Sequence, residues 1–422
     1  MLVVVLWLLI VLGMVVLGLN RSTQQLLNTA RGGLSEVQAR WVARAGVERA
    51  LERLVADMTV YDWAGDDWYE DPVAFDQVVL ANGFAYWVTA PPRDGDLDNA
   101  MRFGLDDEAS RMSVNAYGAA ALSELPGIED DQIPLAIIDW RDDNEDQPPG
   151  GAERSHYREL TIPYDIRNAP FRTHRELMAV RGVTPELFFG EDRDRDAALD
   201  FNENDGDRLP PEDDADGTLD RGLAGVTSVF AYRLNRTMTN LEPLKYDELD
   251  AADLRERFLF SEALAEQAAE RLSGADDPWD IAGLRGGGEP LEGEIDEIDF
   301  AWVANHFEDF TNEDDDILPG RININTARRA VLEAIPQLPQ DAVNDILDVR
   351  EQGTGFTRLG GLFERGLLNE QEFRRAAERL TVRSQTFRVL SRGVAPGGAS
   401  VTVEAVVDRG GQRPVVLYWH ER

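Results

Sequence analysis

The stretch DFNENDGDRLPPEDDADGTLD, residues 200–220, alternates carboxylate and amide oxygens and carries two glycines. Calcium takes about six to eight oxygen ligands from flexible loops, and this spacing offers them. Asp200, Asn202, Asn204, Asp205, Asp207, Asp213, Asp214 and Asp216 are the expected ligands. The segment does not follow the frame of an EF-hand loop counted from Asp200. Gly206 falls seventh rather than sixth, and no glutamate stands twelfth. A solvated acidic loop is the competing reading. Second-choice acidic stretches are RDDNED at 141–146 and NEDDD at 312–316.

Other chemistry is sparse. The chain has no cysteine, which excludes disulfides, thiolate metal sites and cysteine nucleophiles. Its four histidines are His156, His174, His306 and His420, and no two are spaced as a local metal pair. His156 and His174 are read as loop or surface residues. There is no phosphate-binding loop and no nucleophile elbow, so no enzyme is expected. With 79 acidic and 42 basic residues the formal net charge is -37, which opposes nucleic-acid binding unless a basic patch is segregated.

A repeat runs through the middle of the chain. Offset by 210, Met112 matches Ile322, Asn115 matches Asn325, Leu122 matches Leu332, and Leu125-Pro126 matches Ile335-Pro336. After a one-residue slip IIDWR (137–141) matches ILDVR (346–350), then Phe171 and Leu177 match Phe356 and Leu362. The first copy holds extra chain between these last two segments. Each copy reads as two short helices about a turn, with Leu122, Leu125, Ile137 and Ile138 facing one another. Asn115 and Asn325 suit helix capping or bracing of the leading turn. Arg141 and Arg350 suit helix C-terminal carbonyls. The unit resembles the DNA-binding helix-hairpin-helix, whose Gly-x-Gly turn presents N–H groups to phosphate. Here the turns read PGIEDD and PQLPQD, with carboxylates where a phosphate would sit, so a packing role is expected and no nucleic-acid partner.

These elements need a scaffold, and the two ends of the chain supply it. Residues 1–19 contain no charged side chain. At ~1.5 Å per residue they reach ~28 Å, one hydrocarbon thickness. The pattern continues as an amphipathic helix in which Leu27, Leu34 and Trp41 recur at seven with Val37 between, and Ala45, Leu51, Leu54 and Val55 extend a stripe. Gly32-Gly33 is expected to soften or kink the middle. Leu27, Leu34, Val37, Trp41, Leu51 and Leu54 are the expected partner-helix contacts. GFAYWVTA (83–90), VTSVFAYRL (226–234) and three C-terminal runs from 385 to 421 read as strands, the last three as an antiparallel meander with Val401, Val403, Ala405 and Val407 on one face.

A long helix that begins in lipid and packs on an antiparallel sheet is the layout of type IV pilins and pseudopilins, which this chain resembles. Pilin precursors carry a short basic leader, and an upstream start is expected to supply it. Most pilins have a glutamate at the fifth mature position. Val5 stands there and the first acidic residue is Glu36, which suits a subunit with no neighbour ahead of it.

The segments IIDWRDDNEDQPPGGAERSHY, NAPFRTHRELMAVRGVTPELFFG and RININTARRAVLEAI make the resemblance specific: they are similar to the minor pseudopilin K of type II secretion. The acidic insert near 190–222 departs from that family. The resemblance implies an α+β fold in which a large, mostly helical domain is inserted into the pilin sheet. The expected division is a transmembrane helix (1–20), its amphipathic continuation (21–58), a first β part (59–110), an inserted helical domain (111–225), a return strand and connector (226–320), a second hairpin repeat (321–383) and a meander (384–422). Also implied are a cap at the pseudopilus tip, a role in initiating assembly and export, and calcium in loops of the helical domain. Expected partners are minor pseudopilins I and J, with the major pseudopilin, secreted substrates and outer-membrane secretin as further candidates. The location would be the inner membrane, single-pass, with the soluble domain in the periplasm. The alternative is an accessory or tip pilin of another type IV filament that binds DNA through its hairpins.

Overall fold

A computed structural model describes the whole chain except residues 58, 93–100, 147, 207, 247, 276, 289 and 411–412. Helix α1 runs unbroken from Leu2 to Ala56, through Gly32-Gly33, so the expected interruption there is not seen. Without neighbouring proline or an inserted side chain, two glycines weaken a helix but do not break it. The buried residues of α1 are Ala39, Val42, Ala43, Gly46, Val47, Ala50 and Leu54, an i, i+3, i+4 stripe made largely of small side chains.

That stripe lies on a six-stranded antiparallel sheet. Its strands are β1 (Val78–Val79), β2 (Ala85–Thr89), β3 (Asp106–Asp107), β4 (Thr386–Val394), β5 (Ser400–Asp408) and β6 (Val415–Glu421). The order is β1-β2-β4-β5-β6, with β3 also paired to β4. Register is set by Ala85 opposite Val394, Phe387 opposite Asp107 and Val403 opposite Ser391. Val403, Ala405 and Val407 share one core with Val42, Val47 and Leu54 of α1, and Val401 packs with Ala39, so all four expected residues of β5 face the helix.

The helix sits unusually close to β4. A methyl group added at Gly393 would lie 2.3 Å from both the Ala39 carbonyl oxygen and the Ala43 nitrogen. Ser391 Oγ donates to the Ala43 carbonyl at 2.8 Å. Only small residues on both partners permit this approach.

Residues 112–381, between β3 and β4, form the inserted domain. Each copy of the repeat opens on a two-residue strand closed by a parallel partner: Met112–Ser113 pairs with Thr227–Ser228, and Ile322–Asn323 with Leu380–Thr381. The first copy then folds as α2 (Ala119–Leu122) and α3 (Gln132–Arg141), the second as α4 (Arg329–Glu333) and α5 (Gln340–Glu351). Leu122, Leu125 and Ile137 are buried and Ile138 half-buried. The run 226–234 is not one strand. Its first half closes the first repeat, and Tyr232–Leu234 pairs instead with Ile317–Pro319. Both asparagines brace the unit: Asn115 Oδ1 accepts from Phe171 N at 2.8 Å and Asn325 Oδ1 from Phe356 N at 2.7 Å, with Nδ2 returning to the same residues' carbonyls. They therefore clamp the chain that follows the second helix rather than cap the first. Arg141 reaches the carbonyls of Val114 and Tyr117, and Arg350 that of Ala327. These carbonyls precede α2 and α4, so the expected C-terminal bonding is corrected to the opposite end of the hairpin.

The insert is joined to the sheet by buried polar groups. Asp107 Oδ2 accepts from Ser384 Oγ and Thr326 Oγ1, both at 2.5 Å, and from Asn323 Nδ2 at 3.3 Å. Asp62 Oδ2 accepts from Ser384 N at 2.6 Å and Arg409 Nη2 at 2.7 Å, while its carbonyl takes Asn323 and Asn325. Glu108 receives Arg388 Nε at 2.6 Å and Arg111 Nη1 at 3.1 Å. Burial pushes Asp107 up to about 7, against hydroxyl bonds that lower it.

Two outcomes follow from this packing. Gly393→Ala is expected to cost about 1–3 kcal/mol, because backbone on both sides of the new methyl must move; urea unfolding of the detergent-solubilised chain measures it, and an unchanged midpoint would refute the close approach. The raised Asp107 means that the folded state holds a proton the unfolded state releases near pH 4. Stability contributed by this group is therefore present below pH 4, declines as pH rises from 4 to 7, and is level above, a change of roughly 4 kcal/mol at most. Asp107→Asn should flatten that decline relative to the parent chain. Parallel profiles for the two proteins would show that folding does not raise the pKa of Asp107.

Candidate assembly face and metal centre

The N-terminal half of α1 has no buried residue. An 18-residue window near its start has a mean hydropathy of 3.1 and no buried residue, as expected of a helix able to cross a membrane. Beyond it Leu27, Leu34, Val37 and Trp41 are 51%, 59%, 44% and 62% exposed, so four of the six expected partner contacts form an uncovered stripe. The other two are corrected. Leu54 is buried in the protein's own core and Leu51 is half-buried against it, because α1 has met the sheet by then. Val55, read as part of the same stripe, points to solvent.

The stripe continues onto the sheet edge. The Arg44 guanidinium lies 5.0 Å from the Trp41 ring centre and 5.1 Å from that of Trp419 on β6, bridging helix and strand. Arg40 Nε holds Glu421 at 2.8 Å. Val415, Val416 and Leu417 of this edge strand are exposed. The result is an apolar band from Leu27 to β6 with aromatic and arginine centres, a composition common at protein interfaces.

The acidic segment has two parts that behave differently. Most of the expected ligands turn their oxygens onto their own backbone. Asp213 accepts from Asp205 N, Gly206 N and Ala215 N, Asp214 from Asp216 N, Asp216 from Thr218 N, and Asn204 from Gly217 N. Asn202 donates to Pro210 O, and Asp205 Oδ1 accepts from Leu209 N. These are turn formers, the use to which short polar side chains are commonly put. Asp207 lies outside the described residues. Among the described residues of the set, only Asp200 joins a carboxylate cluster.

That cluster lies just upstream. Asp192, Asp194 and Glu203 bring one oxygen each within 4.8 Å of one another, and so do Asp194, Asp196 and Asp200. In DRDRDAALDFNE the acids stand first, third, fifth, ninth and twelfth, the frame of an EF-hand loop counted from Asp192. Ala197, at the sixth position where that loop needs a sharp turn, has φ 65°. Asp196 N donates to Asp194 Oδ1 and Ala198 N to Asp196 Oδ1, while Glu203 reaches back to Asp200 N and Arg193 N, both at 3.1 Å. Asp192 is 3% exposed; one oxygen pairs with Arg221 Nε at 3.1 Å and the other is buried without a partner. The spacing is present in the sequence, but an alanine stands at the turn where such a loop carries glycine.

The hairpin turns remain acidic. Gly127 and its repeat equivalent Gln337 both take positive φ, 77° and 73°, so one turn geometry serves both copies. Glu129, Asp130 and Asp131 are exposed at the first. His174, read as a surface or loop residue, is instead buried against Phe188 with Nε2 2.8 Å from Thr227 Oγ1. Burial, with Arg388 and Arg111 nearby, holds it well below the usual imidazole range, so it is neutral. Thr227 Oγ1 gives its own proton to the Leu223 carbonyl at 2.6 Å, leaving the hydroxyl committed to structure.

Residues 103–189 match the family model described as type II secretion system (T2SS), protein K. No curated protein matches the chain. Among solved structures, a chain of the GspK-GspI-GspJ complex from the enterotoxigenic Escherichia coli type 2 secretion system is 13% identical with a TM-score of 0.51, over 93% of this chain and 99% of that one. At such identity this likeness concerns the fold, a pilin-like α+β arrangement with an inserted helical domain. Together the matched segment and the shared fold bear out the resemblance read from the sequence, that of a type II secretion minor pseudopilin of the K kind.

Proposed function

We propose that this chain caps the tip of a type II secretion pseudopilus, is anchored in the inner membrane by the start of α1 with its soluble part in the periplasm, and assembles there with minor pseudopilins I and J to initiate the filament. The observation that carries the reading is the division of α1. One face of its second half is covered by the sheet, the apolar band Leu27, Leu34, Val37 and Trp41 is bare, and residues 112–381 project from the same sheet as an extra domain. A helix packed in a filament shaft needs neighbours on all sides. A head of this size beside it obstructs one side and suits a terminal position. Hairpin tips carrying exposed Glu129, Asp130 and Asp131 support packing rather than phosphate binding. Secretin and cargo remain further partners of the same proposal.

Detergent-solubilised chain mixed with pseudopilins I and J should yield a stable heterotrimer. Leu34→Arg with Trp41→Ala should weaken it at least tenfold without changing the chain's own melting temperature, since neither residue lies in its core. Undiminished assembly by the double variant would sink the assigned face, and labelled copies found all along the shaft would sink the tip position.

We also propose that Asp192, Asp194, Asp196, Asp200 and Glu203 hold calcium, in place of the 200–216 set. The fit rests on the one-three-five-nine-twelve spacing, the left-handed Ala197 and the unpartnered buried oxygen of Asp192. Calcium would neutralise a cluster that otherwise has Arg221 as its bonded cation. At a hundredfold excess over Kd it would add about 2.7 kcal/mol to stability. Chelator should lower the melting temperature, and Asp194→Asn should abolish the calcium response. A response that survives the substitution would place the ion elsewhere.

A further inference from the structure

The insert covers the face of the sheet turned away from α1, and a half-open cavity of about 70 Å³ is left between them. Its floor is strand: Arg388 and Leu390 of β4, Glu404 of β5 and Tyr418 of β6, positions that alternate with the residues packed on α1. Its roof is the insert, where Arg175, Phe188, Arg195 and Arg221 close over it.

Arginine is concentrated here. In a chain of formal net charge -37, four arginines line this cavity against the three carboxylates of Asp106, Asp192 and Glu404. Those carboxylates are already held: Asp106 by Arg111, Asp192 by Arg221 Nε at 3.1 Å, and Glu404 by Arg388 Nη1 at 2.8 Å. Arg388 is further committed to Glu108 at 2.6 Å. Donors are left over. Arg221 Nη1 and Arg175 Nη2 are buried with no hydrogen-bond partner. Arg175 Nη2 stands 3.9 Å from Glu404 Oε2, too far for a hydrogen bond. The Arg195 guanidinium lies 5.4 Å from the Phe189 ring centre and makes no ion pair among the described residues. Arg422 is fixed beside it on the Asp194 and Arg195 carbonyls. Burial, with Arg175 and Arg422 as like-charged neighbours, pulls Arg195 below the usual arginine range.

A buried donor without a partner costs roughly 1–3 kcal/mol, and more when it is charged, so the cavity calls for an acceptor. Four positive charges against three negative leave one in excess, which a single carboxylate balances and a doubly charged phosphate overshoots. Guanidinium and carboxylate also match as planar forks. Phe188, Phe189, Phe230 and Leu390 make the rest of the wall apolar and suit a hydrocarbon stem. The acidity of the whole chain does not forbid an anion here. Exposed charges beyond about 8–10 Å are screened at ordinary ionic strength, so the arginines of the wall govern the local field.

We propose that this cavity binds a carboxylate carried on an apolar stem, with Arg175, Arg195 and Arg221 as its donors. The occupant touches sheet and insert together and reinforces the joint at which Arg388 holds Glu108. Two sources supply such a group: a free short-chain organic acid, and the C-terminal end of a polypeptide.

The test is equilibrium dialysis of labelled butyrate against the full chain in detergent, with calcium held constant and empty micelles as the blank. The parent chain should retain butyrate. Arg195→Gln and Arg175→Gln should each weaken retention roughly tenfold or more, the effect of one lost charge-assisted hydrogen bond. Arg195 has no ion pair to lose, so its variant should melt no lower than the parent without butyrate. Arg392→Gln removes the same charge from an exposed position of β4 and should change nothing. No retention by the parent, or equal retention by Arg195→Gln, overturns the site; so does an equal loss with Arg392→Gln, which would mark a response to general charge. Inorganic phosphate binding more tightly than butyrate overturns the choice of carboxylate. Displacement of butyrate by a short peptide ending in phenylalanine, but not by its C-terminal amide, supports a polypeptide end as the occupant. Butyrate undisturbed by either peptide supports a small acid, and displacement by both alike overturns the need for a carboxylate.

Discussion

Asp62 and Asp107 are the constraint on which the rest of the molecule depends. Each is fully buried, and together with Ser384 and Asn323 they connect the leading loop after α1, the third strand of the sheet, the second hairpin repeat and the chain returning to β4. An apolar contact between an insert and its host tolerates sliding. A network of directional bonds with buried ends does not, because every misplacement strands a donor or acceptor away from water. The acidic member at the centre of such a network is destabilised as an ion, yet its bonds specify one docking geometry. Glu108, held by both Arg111 and Arg388, repeats the arrangement on the neighbouring side of the joint.

The second organising fact is that α1 serves three surroundings along one continuous rod. Its first turns are apolar on every side, its middle is apolar on the outside, and its end is faced with alanine and glycine toward the sheet. Small residues bring the backbone close enough for Ser391 to bond a helix carbonyl, which fixes the rotation of the rod. That rotation decides which side chains remain bare. Trp41 is outside because Ala39, Val42 and Ala43 are inside.

Much of this was legible in the sequence. The length of α1, the three C-terminal strands, the inward face of β5 and the duplicated hairpin all followed from uniform apolarity, alternation and matched residues. What failed shows where such signals end. Leu51 and Leu54 continue the apolar stripe of Leu27 and Leu34, and periodicity cannot say that the stripe passes from an external neighbour to the protein's own sheet. Asn115 and Asn325 were recognisable as bracing residues, but their partners are Phe171 and Phe356, set by tertiary closure. His174 gave no sign of burial because its contacts, Phe188 and Thr227, lie outside its own short helix and are brought to it by tertiary folding. The acidic region is hard to read because carboxylates are so abundant: Asp213 and Asp216 have the chemistry of ligands, yet each accepts neighbouring amides, and the cluster around Asp194 lies within the same run of charge.

The sheet that receives α1 is sewn from both ends of the polypeptide. Its β2 and β3 precede the insert, and β4, β5 and β6 follow it. During synthesis the helix and β2 are made before the insert, yet β4 and β5, which also cover Ala39 to Leu54, are made only after it. Until then the insert can form its own core while the rod stays half undressed, a long-range closure of the slow kind. Loss of the final strands to premature termination would therefore yield not a shortened subunit but an anchored rod with a folded ornament and no seat between them.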